Sequence, residues 1–150
     1  MATRTSDNTL SDTASHLRDA IVRTSRALRQ EAAAETGLSP AQTAALASIG
    51  RSGPLTPSEL AAIERVKRPT MTRTLACLER EGLIERTPDP ADGRSFLVAV
   101  NDSGRERLAR LRRRNSAYLA RRLRKLDPGE VATLARAADL LERMREDERG

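Results

Sequence analysis

The chain of 150 residues is long enough for one domain of ordinary size, or for a small head with attached helices. Its net charge is +6, and because only 1% of its residues are aromatic, the core must consist of Leu, Ala, Ile and Val. One Cys excludes an intrachain disulfide, and one Cys with one His is too little for a typical metal site, so we expect neither metal nor cofactor. No apolar run approaches a membrane span and no signal-peptide core begins the chain, so we expect a cytoplasmic protein without membrane contact.

The N-terminal region predicts a long helix followed by a shorter one. Residues 1–10 are polar and are expected to be flexible. A helix is predicted over residues 11–36, with Gly37 at its end. Its apolar side chains share one face at helical spacing: Leu17, Ile21 and Leu28. The run Ser39–Gln42 has the pattern of a capping box and opens the second helix, which the glycines and proline of residues 50–54 are expected to break.

The stretch from Leu55 to Val100 predicts a winged helix-turn-helix. A capping box over Thr56–Glu59 opens its first helix, and a second helix runs from near Pro69 to Gly82, where glycine tolerates a left-handed end. Two β-prone runs follow at residues 83–87 and 95–100, separated by a turn rich in Pro, Asp and Gly. Leu55 is expected to pair with this wing as a short strand. The predicted fold class is therefore mainly α with a small β-wing.

Two further helices are predicted after the wing. Asn101 caps a long helix that reaches roughly Leu126, and Asp127 caps the last one. The long helix is strongly basic from Arg105 to Arg114, and we expect this face to be solvated, with contact to flanking DNA as the alternative.

The helices at the two ends, over residues 11–36 and 101–146, flank a head over residues 39–100. They carry apolar stripes for which a small head offers no obvious partner. We expect these stripes to form a dimer interface, and a self-contained helical bundle is the alternative. The predicted interface residues are Leu17, Ile21, Leu28, Leu134 and Leu141.

The positive charge of the head is concentrated where its second helix begins. From Thr56 to Val100 seven basic residues are balanced by seven acidic ones, whereas Arg65–Arg73 contains four basic residues and no acid. On a helical wheel, Thr72 and Arg73 lie opposite the apolar face of this helix. Such a helix fits the major groove, where Arg donates twice to guanine and Thr meets a thymine methyl group or a phosphate. A solvated helix that is basic by chance is the alternative. The outer face and the residues just before it comprise Lys67, Arg68, Pro69, Thr72 and Arg73.

The wing offers a second contact to DNA. Arg94 lies at the tip of the predicted two-stranded ribbon, with Asp92 two residues away to orient it. An arginine in this position can enter a narrow minor groove, where the negative potential is enhanced. An exposed hairpin charge without a partner is the alternative.

Several motifs in fixed order carry a family resemblance. They are LTPSELA from Leu55, PTMTRTL from Pro69, LEREGLIER from Leu78, DGR from Asp92 and LDPGE from Leu126. With these motifs, residues 39–144 resemble a MarR-family transcriptional regulator. The resemblance implies a homodimer built from the first and last helices and a palindromic operator. It implies operator contacts through Arg68, Pro69, Thr70, Thr72 and Arg73, with Arg94 in the minor groove. It also implies, for most members, repression that a small ligand or an oxidant relieves.

Two residues depart from this pattern. Arg65 occupies a turn position that often holds glycine, so we expect either a strained backbone angle there or a turn of another shape. Lys67 stands where a small polar cap is usual and cannot accept a hydrogen bond from the helix amides. Cys77 lies on the shoulder of the second helix, where oxidation would disturb DNA binding, but no second Cys can resolve a sulfenic acid. His16 is expected at the surface and Tyr118 in packing, with a ligand pocket as the alternative for both.

Other classes of protein fit less well. An enzyme would need a nucleophile with its base, paired carboxylates, a phosphate loop or metal ligands, and the sequence has no such pattern. A helical ligand-binding or protein-interaction module without operator-specific binding is the alternative function. The exposed pattern of Arg68, Thr72, Arg73 and Arg94 argues against it.

Overall fold

The computed structural model describes the backbone of residues 2–147 and the side chains of residues 8–145. Within these bounds the elements are α1 (Ala2–Thr36), α2 (Pro40–Ser52), α3 (Pro57–Ile63), α4 (Arg68–Arg80), β1 (Ile84–Pro88), β2 (Phe96–Val100), α5 (Asp102–Leu123) and α6 (Pro128–Asp147). The predicted fold class, mainly α with a small β-wing, is confirmed. The chain divides into two compact units, the first of which ends at Asn115 within α5. None of the described helices is both long and apolar enough to cross a membrane.

The first helix is longer than the sequence predicts. α1 begins at Ala2, nine residues before the start that the sequence predicts, and Met1 lies outside the described residues. No proline or glycine interrupts this helix, and each further residue adds a hydrogen bond without a new nucleation cost. α1 ends at Gly37 as predicted, with a left-handed φ of +66°. Every side chain of residues 8–24 is exposed.

The second helix ends at Ser52, within the predicted break over residues 50–54, and Gly50 is still helical. Gly50 serves a packing purpose, because a Cβ built on it would lie 2.7 Å from the Cδ1 of Leu108 in α5. The capping box that opens α2 is confirmed. Ser39 Oγ accepts from the Gln42 N–H at 3.2 Å, and Gln42 Oε1 accepts from the Ser39 N–H at 2.8 Å.

The core of the first unit is aliphatic, as the composition predicts. Among its most completely buried side chains are Leu46, Leu60, Met71, Leu75, Leu78 and Val98. Burying a side chain of this kind stabilises a fold by roughly 1.5–3 kcal/mol. Since these residues belong to α2, α3, α4 and β2, one core joins the helix pair to the wing. Leu55 adds the expected short strand, with N–H···O bonds of 3.1 and 2.8 Å to and from Val98.

The wing is an antiparallel ribbon of β1 and β2. Ile84 lies opposite Val100 at its base, and Pro88 lies opposite Phe96 toward its tip. Each strand begins one residue later than predicted. Ile84, Val98 and Val100 are buried, so the base of the ribbon is part of the core and its tip is free to project.

Both C-terminal helix starts are confirmed. Asn101 Oδ1 accepts from the Gly104 N–H at 2.9 Å. Asp127 and Glu130 cap the start of α6 reciprocally, with two hydrogen bonds of 3.0 Å. α5 ends at Leu123, three residues earlier than predicted, because the Lys125 and Leu126 N–H groups bond three residues back and tighten the last turn.

The basic face of α5 is exposed as expected, apart from the half-buried Arg107, but two of its arginines also bond to α1. Arg107 Nη1 donates to the Thr36 carbonyl at 2.6 Å, where the last carbonyls of α1 lack helical partners. Arg114 forms ion pairs with Glu35 at 3.2 Å and with Glu31 at 3.8 Å. The basic composition of α5 therefore serves in part to attach it to the end of α1.

Apolar side chains predicted at a dimer interface are uncovered in the single chain. On α1, Leu17 is 36% exposed and Ile21 45% exposed, and on α6 Leu134 is 48% exposed. Leu28 and Leu141 are half-buried. Both helices thus present apolar surface to solvent.

Candidate DNA-binding surface

A reciprocal cap fixes the start of α3. Thr56 Oγ1 accepts from the Glu59 N–H at 3.2 Å, and Glu59 Oε2 accepts from the Thr56 N–H at 2.7 Å, which confirms the predicted capping box. The Thr56 hydroxyl also donates to this carboxylate oxygen at 2.8 Å. These bonds to the carboxylate, the one from the Thr56 backbone first, hold the pKa of Glu59 below its ordinary value. From this start α3 carries Leu60 and Ala61 into the core.

The turn between α3 and α4 contains a residue in a left-handed conformation. Arg65 has a φ of +53°, which confirms the strain expected of a side chain in a place that favours glycine. The turn closes α3 with a hydrogen bond of 3.0 Å from the Val66 N–H to the Ala61 carbonyl. Only Val66 and Lys67 separate Arg65 from the start of α4 at Arg68.

A buried hydroxyl in α2 supports this turn, and no local sequence pattern indicates it. Ser48 is 2% exposed, and its Oγ donates to the carboxylate of Glu64, the residue just before the turn. Arg51 Nη2 donates to the same hydroxyl oxygen at 3.1 Å. In the sequence Ser48 is only a small residue among apolar neighbours, and its use depends on a partner sixteen positions away.

α4 has the two faces that the helical wheel predicts. Met71, Leu75 and Leu78 are buried against the core. The residues predicted to contact DNA at its start are all exposed: Lys67, Arg68, Pro69, Thr70, Thr72 and Arg73. Lys67 stands at the cap position and makes no side-chain cap, as predicted. The first amides of α4 are therefore left without a side-chain acceptor and can bind a phosphate oxygen.

The exposed cations at the start of α4 have no acidic partners within the part of the chain that the structure describes. None of the ion pairs among the described residues involves Lys67, Arg68 or Arg73. Thr72 Oγ1 donates to the Arg68 carbonyl at 3.0 Å, which fixes its hydroxyl on the outer face. The surface is thus both positively charged and preorganised.

The wing tip is fixed by backbone hydrogen bonds to aspartates. Asp92 Oδ1 accepts from the Arg94 N–H at 3.0 Å, and Asp89 Oδ1 accepts from the Ala91 N–H at 2.9 Å. Asp92 thus holds Arg94 by its backbone N–H, because its carboxylate forms the short local turn that aspartate favours. Arg94 is exposed and takes part in none of the ion pairs among the described residues. Asp92 therefore supports the wing through the backbone.

The base of the wing is tied to the end of α4 by an arginine that sequence reasoning missed. Arg86 Nη2 lies 2.8 Å from Glu79 Oε2, and its guanidinium carbon lies 4.3 Å from the centre of the Phe96 ring. Arg86 is opposite Val98 in the ribbon, so Phe96 is its diagonal neighbour on the same face. Once the two strands are known, their register predicts that Arg86 and Phe96 are neighbours.

Three other residues of interest lie apart from this surface or at its edge. Cys77 is half-buried in α4, and Arg80 Nη2 donates to its sulfur at 3.1 Å. His16 is exposed on α1, as expected. Tyr118 is buried, with the Arg122 guanidinium carbon 3.6 Å from its ring centre, so it packs as expected.

Two helices joined by a tight turn, an exposed cationic second helix and a two-stranded wing define a winged helix-turn-helix DNA-binding protein. Sequence comparison agrees with this class. A model described as the MarR family matches residues 38–96. An uncharacterised HTH-type transcriptional regulator of Mycobacterium bovis is 42% identical over 129 residues, covering 85% of this chain and 89% of that protein.

Solved structures extend the likeness over nearly the whole chain. A Pseudomonas aeruginosa protein described as a transcriptional regulator has a TM-score of 0.78 and 36% identity, covering 92% of this chain and 96% of that one. Wild-type apo MarR from E. coli has a TM-score of 0.71 and 26% identity, covering 85% and 95%. The chain belongs to the MarR family of DNA-binding transcriptional regulators.

Proposed function

We propose that the protein is a homodimeric regulator that reads a palindromic operator, represses nearby genes and releases DNA when a small effector binds. The observation that carries the proposal is the exposed cationic start of α4, which forms no ion pair among the described residues and lies within a stretch from Thr56 to Val100 whose net charge is zero. In the proposed complex Arg73 and Thr72 read base edges in the major groove, and Lys67 and Arg68 contact phosphates. Such a regulator acts where the chromosome is, in the cytoplasm.

The wing contributes a second, shape-dependent contact in this proposal. Arg94 enters the minor groove beside the site read by α4, where a narrow A·T-rich groove attracts arginine. Asp92 and Asp89 support this role because they fix the backbone on either side of the tip. Arg86 supports it from the base, since it joins the ribbon to Glu79 at the end of α4.

The proposed dimer follows from the apolar surface on the end helices. Leu17 and Ile21 on α1 and Leu134 on α6 are exposed in the single chain, and exposed apolar clusters mark protein interaction sites. A symmetric dimer would present two copies of α4 about 34 Å apart, which matches one turn of DNA. A palindromic operator is the sequence that such a pair reads.

The effector part of the proposal has a small cleft to support it. A cavity of about 180 Å³ is lined by Glu35, Thr36, Arg107 and Arg110. Arg107 is committed to the Thr36 carbonyl, whereas Arg110 takes part in none of the ion pairs among the described residues. A small anion is the chemistry that fits the remaining guanidinium group, that of Arg110.

The test is selection of duplexes from a random-sequence pool, followed by affinity measurement for the recovered sequence. We expect R68A/R73A to bind this duplex roughly 100-fold more weakly, because the base contact of Arg73 is worth about 1–3 kcal/mol and the phosphate contact of Arg68 adds to it. The slope of log affinity against log salt should also become shallower by about 0.9 for each phosphate that the variant no longer neutralises. R112A/R124A is the matched control, since it removes two exposed arginines of the region around α5.

Two outcomes would contradict the proposal. One is equal affinity of the wild-type protein for all duplexes, which would favour an interaction module without operator reading. The other is an equal loss of affinity in R68A/R73A and R112A/R124A, which would show that only total charge matters.

A further inference from the structure

The recognition helix α4 ends in a closed turn whose next two carbonyls point away from the helix. The Leu83 N–H bonds to the Leu78 carbonyl at 3.0 Å and the Gly82 N–H to the Glu79 carbonyl at 2.9 Å, with Gly82 at φ +67°. This is the double hydrogen bond of a Schellman motif. The carbonyls of Gly82 and Leu83 take no part in it and need partners from elsewhere.

Asn101 supplies a partner to both carbonyls. Its side-chain Nδ2 donates to the Gly82 carbonyl at 2.9 Å, and its backbone N–H donates to the Leu83 carbonyl at 3.3 Å. Its Oδ1 accepts from the Gly104 N–H at 2.9 Å and so caps α5. One residue thus joins the end of α4 to the beginning of α5.

The two elements also touch at closest range beside this residue. A Cβ built on Gly104 would lie 2.1 Å from the Leu83 carbonyl oxygen and 2.5 Å from Val100 Cγ1. Leu83 itself is 2% exposed. The first turn of α5 therefore packs directly against the backbone of Leu83, and a side chain at Gly104 would not fit between them.

We propose that Asn101 is a positioning residue whose Nδ2–Gly82 hydrogen bond sets the direction of α4 relative to α5. Capping α5 requires only an oxygen acceptor, which Asp or Ser supplies equally well. The side-chain N–H donor of Asn101 has a different role, because its acceptor is the carbonyl of Gly82, nineteen positions earlier and just after the end of α4. This inference rests on the proposed function: if α5 belongs to the dimer interface, the bond sets the distance between the two recognition helices.

The decisive variant is N101D, which keeps the acceptor for Gly104 and exchanges the donor for an oxygen that repels the Gly82 carbonyl. N101S is the second variant, because serine still caps the helix but is too short to reach Gly82. The matched control is S103D, which adds the same charge at an exposed position two residues away and leaves the bond in place. The probes are the duplexes selected with wild-type protein, together with versions whose half-sites are moved one base pair closer or farther apart.

We expect N101D and N101S to bind the selected duplex about fivefold more weakly, the effect of removing one hydrogen bond. Their preference for the selected spacing over the shifted spacings should fall by a similar factor. S103D should keep the wild-type spacing profile. Sedimentation and circular dichroism should show the same dimer and helix content in all four proteins.

An unchanged spacing preference in N101D and N101S would overturn the inference and leave Asn101 as a helix cap only. Loss of folding in both variants would overturn it as well, since the residue would then serve stability in general. If wild-type protein itself showed no preference among duplexes, the proposed function would fail first, and that result is distinct from an unchanged variant.

Discussion

At Arg65 the chain carries a full side chain through a left-handed turn with a φ of +53°. For an L-residue this region costs about 1–2 kcal/mol relative to the right-handed region. The residue just before it, Glu64, is held by a hydrogen bond from the buried Ser48 hydroxyl to its carboxylate. This contact with α2 enforces the backbone angle of Arg65. What the strained residue supplies is a cation next to the surface of α4, where glycine would supply none.

Substitution of Arg65 separates the cost of the left-handed backbone angle from the loss of the side chain. We expect R65G to raise the free energy of unfolding by about 1 kcal/mol, because glycine adopts this angle without strain. R65A is the matched control, as it removes the same side chain and keeps the strain. Urea denaturation should therefore place R65G above R65A, and equal stability of the two variants would contradict the strain.

Between helices, the junction of α4 and α5 depends on a close approach. Gly104 lies on α5 where any Cβ would overlap the Leu83 carbonyl, an atom of the backbone that cannot swing aside. We expect G104A to lower the free energy of unfolding by about 1–3 kcal/mol, as overpacking does.

The control for this substitution is G93A in the wing. A Cβ on Gly93 meets nothing within 4 Å, so alanine there should be nearly neutral. Thermal or urea unfolding of the two variants checks the difference. A G104A protein as stable as G93A would mean that α5 does not press on the loop after α4.

Local signals predict the elements well, whereas contacts between elements escape prediction. The capping boxes at Ser39 and Thr56 are readable because both partners lie within four residues. Gly50 looks like a break in the sequence, because its use depends on Leu108 in a distant helix. Arg107 looks like a solvated charge for the same reason, since its acceptor is the Thr36 carbonyl, 71 positions away. The same holds for the second use of Asn101, whose cap is predictable from the sequence and whose bond to Gly82 is not.

Taken as a whole molecule, the single chain leaves apolar surface uncovered. Leu17 and Ile21 on α1 remain exposed, and no side chain of residues 8–24 is buried. A helix of mostly exposed residues has little packing to stabilise it, since most helical stability in proteins comes from a buried face. In the proposed dimer a second copy would cover these side chains and supply the second copy of α4 that a palindrome requires.

A hydroxyl-radical footprint on the selected duplex decides whether two copies of α4 read one operator. We expect two equivalent protected patches with centres about 34 Å apart, one turn of DNA, related by the two-fold axis of the palindrome. Protection of the adjoining minor groove should mark the position of Arg94. A single patch, or uniform protection along the duplex, would show that the two helices do not read the operator as a pair.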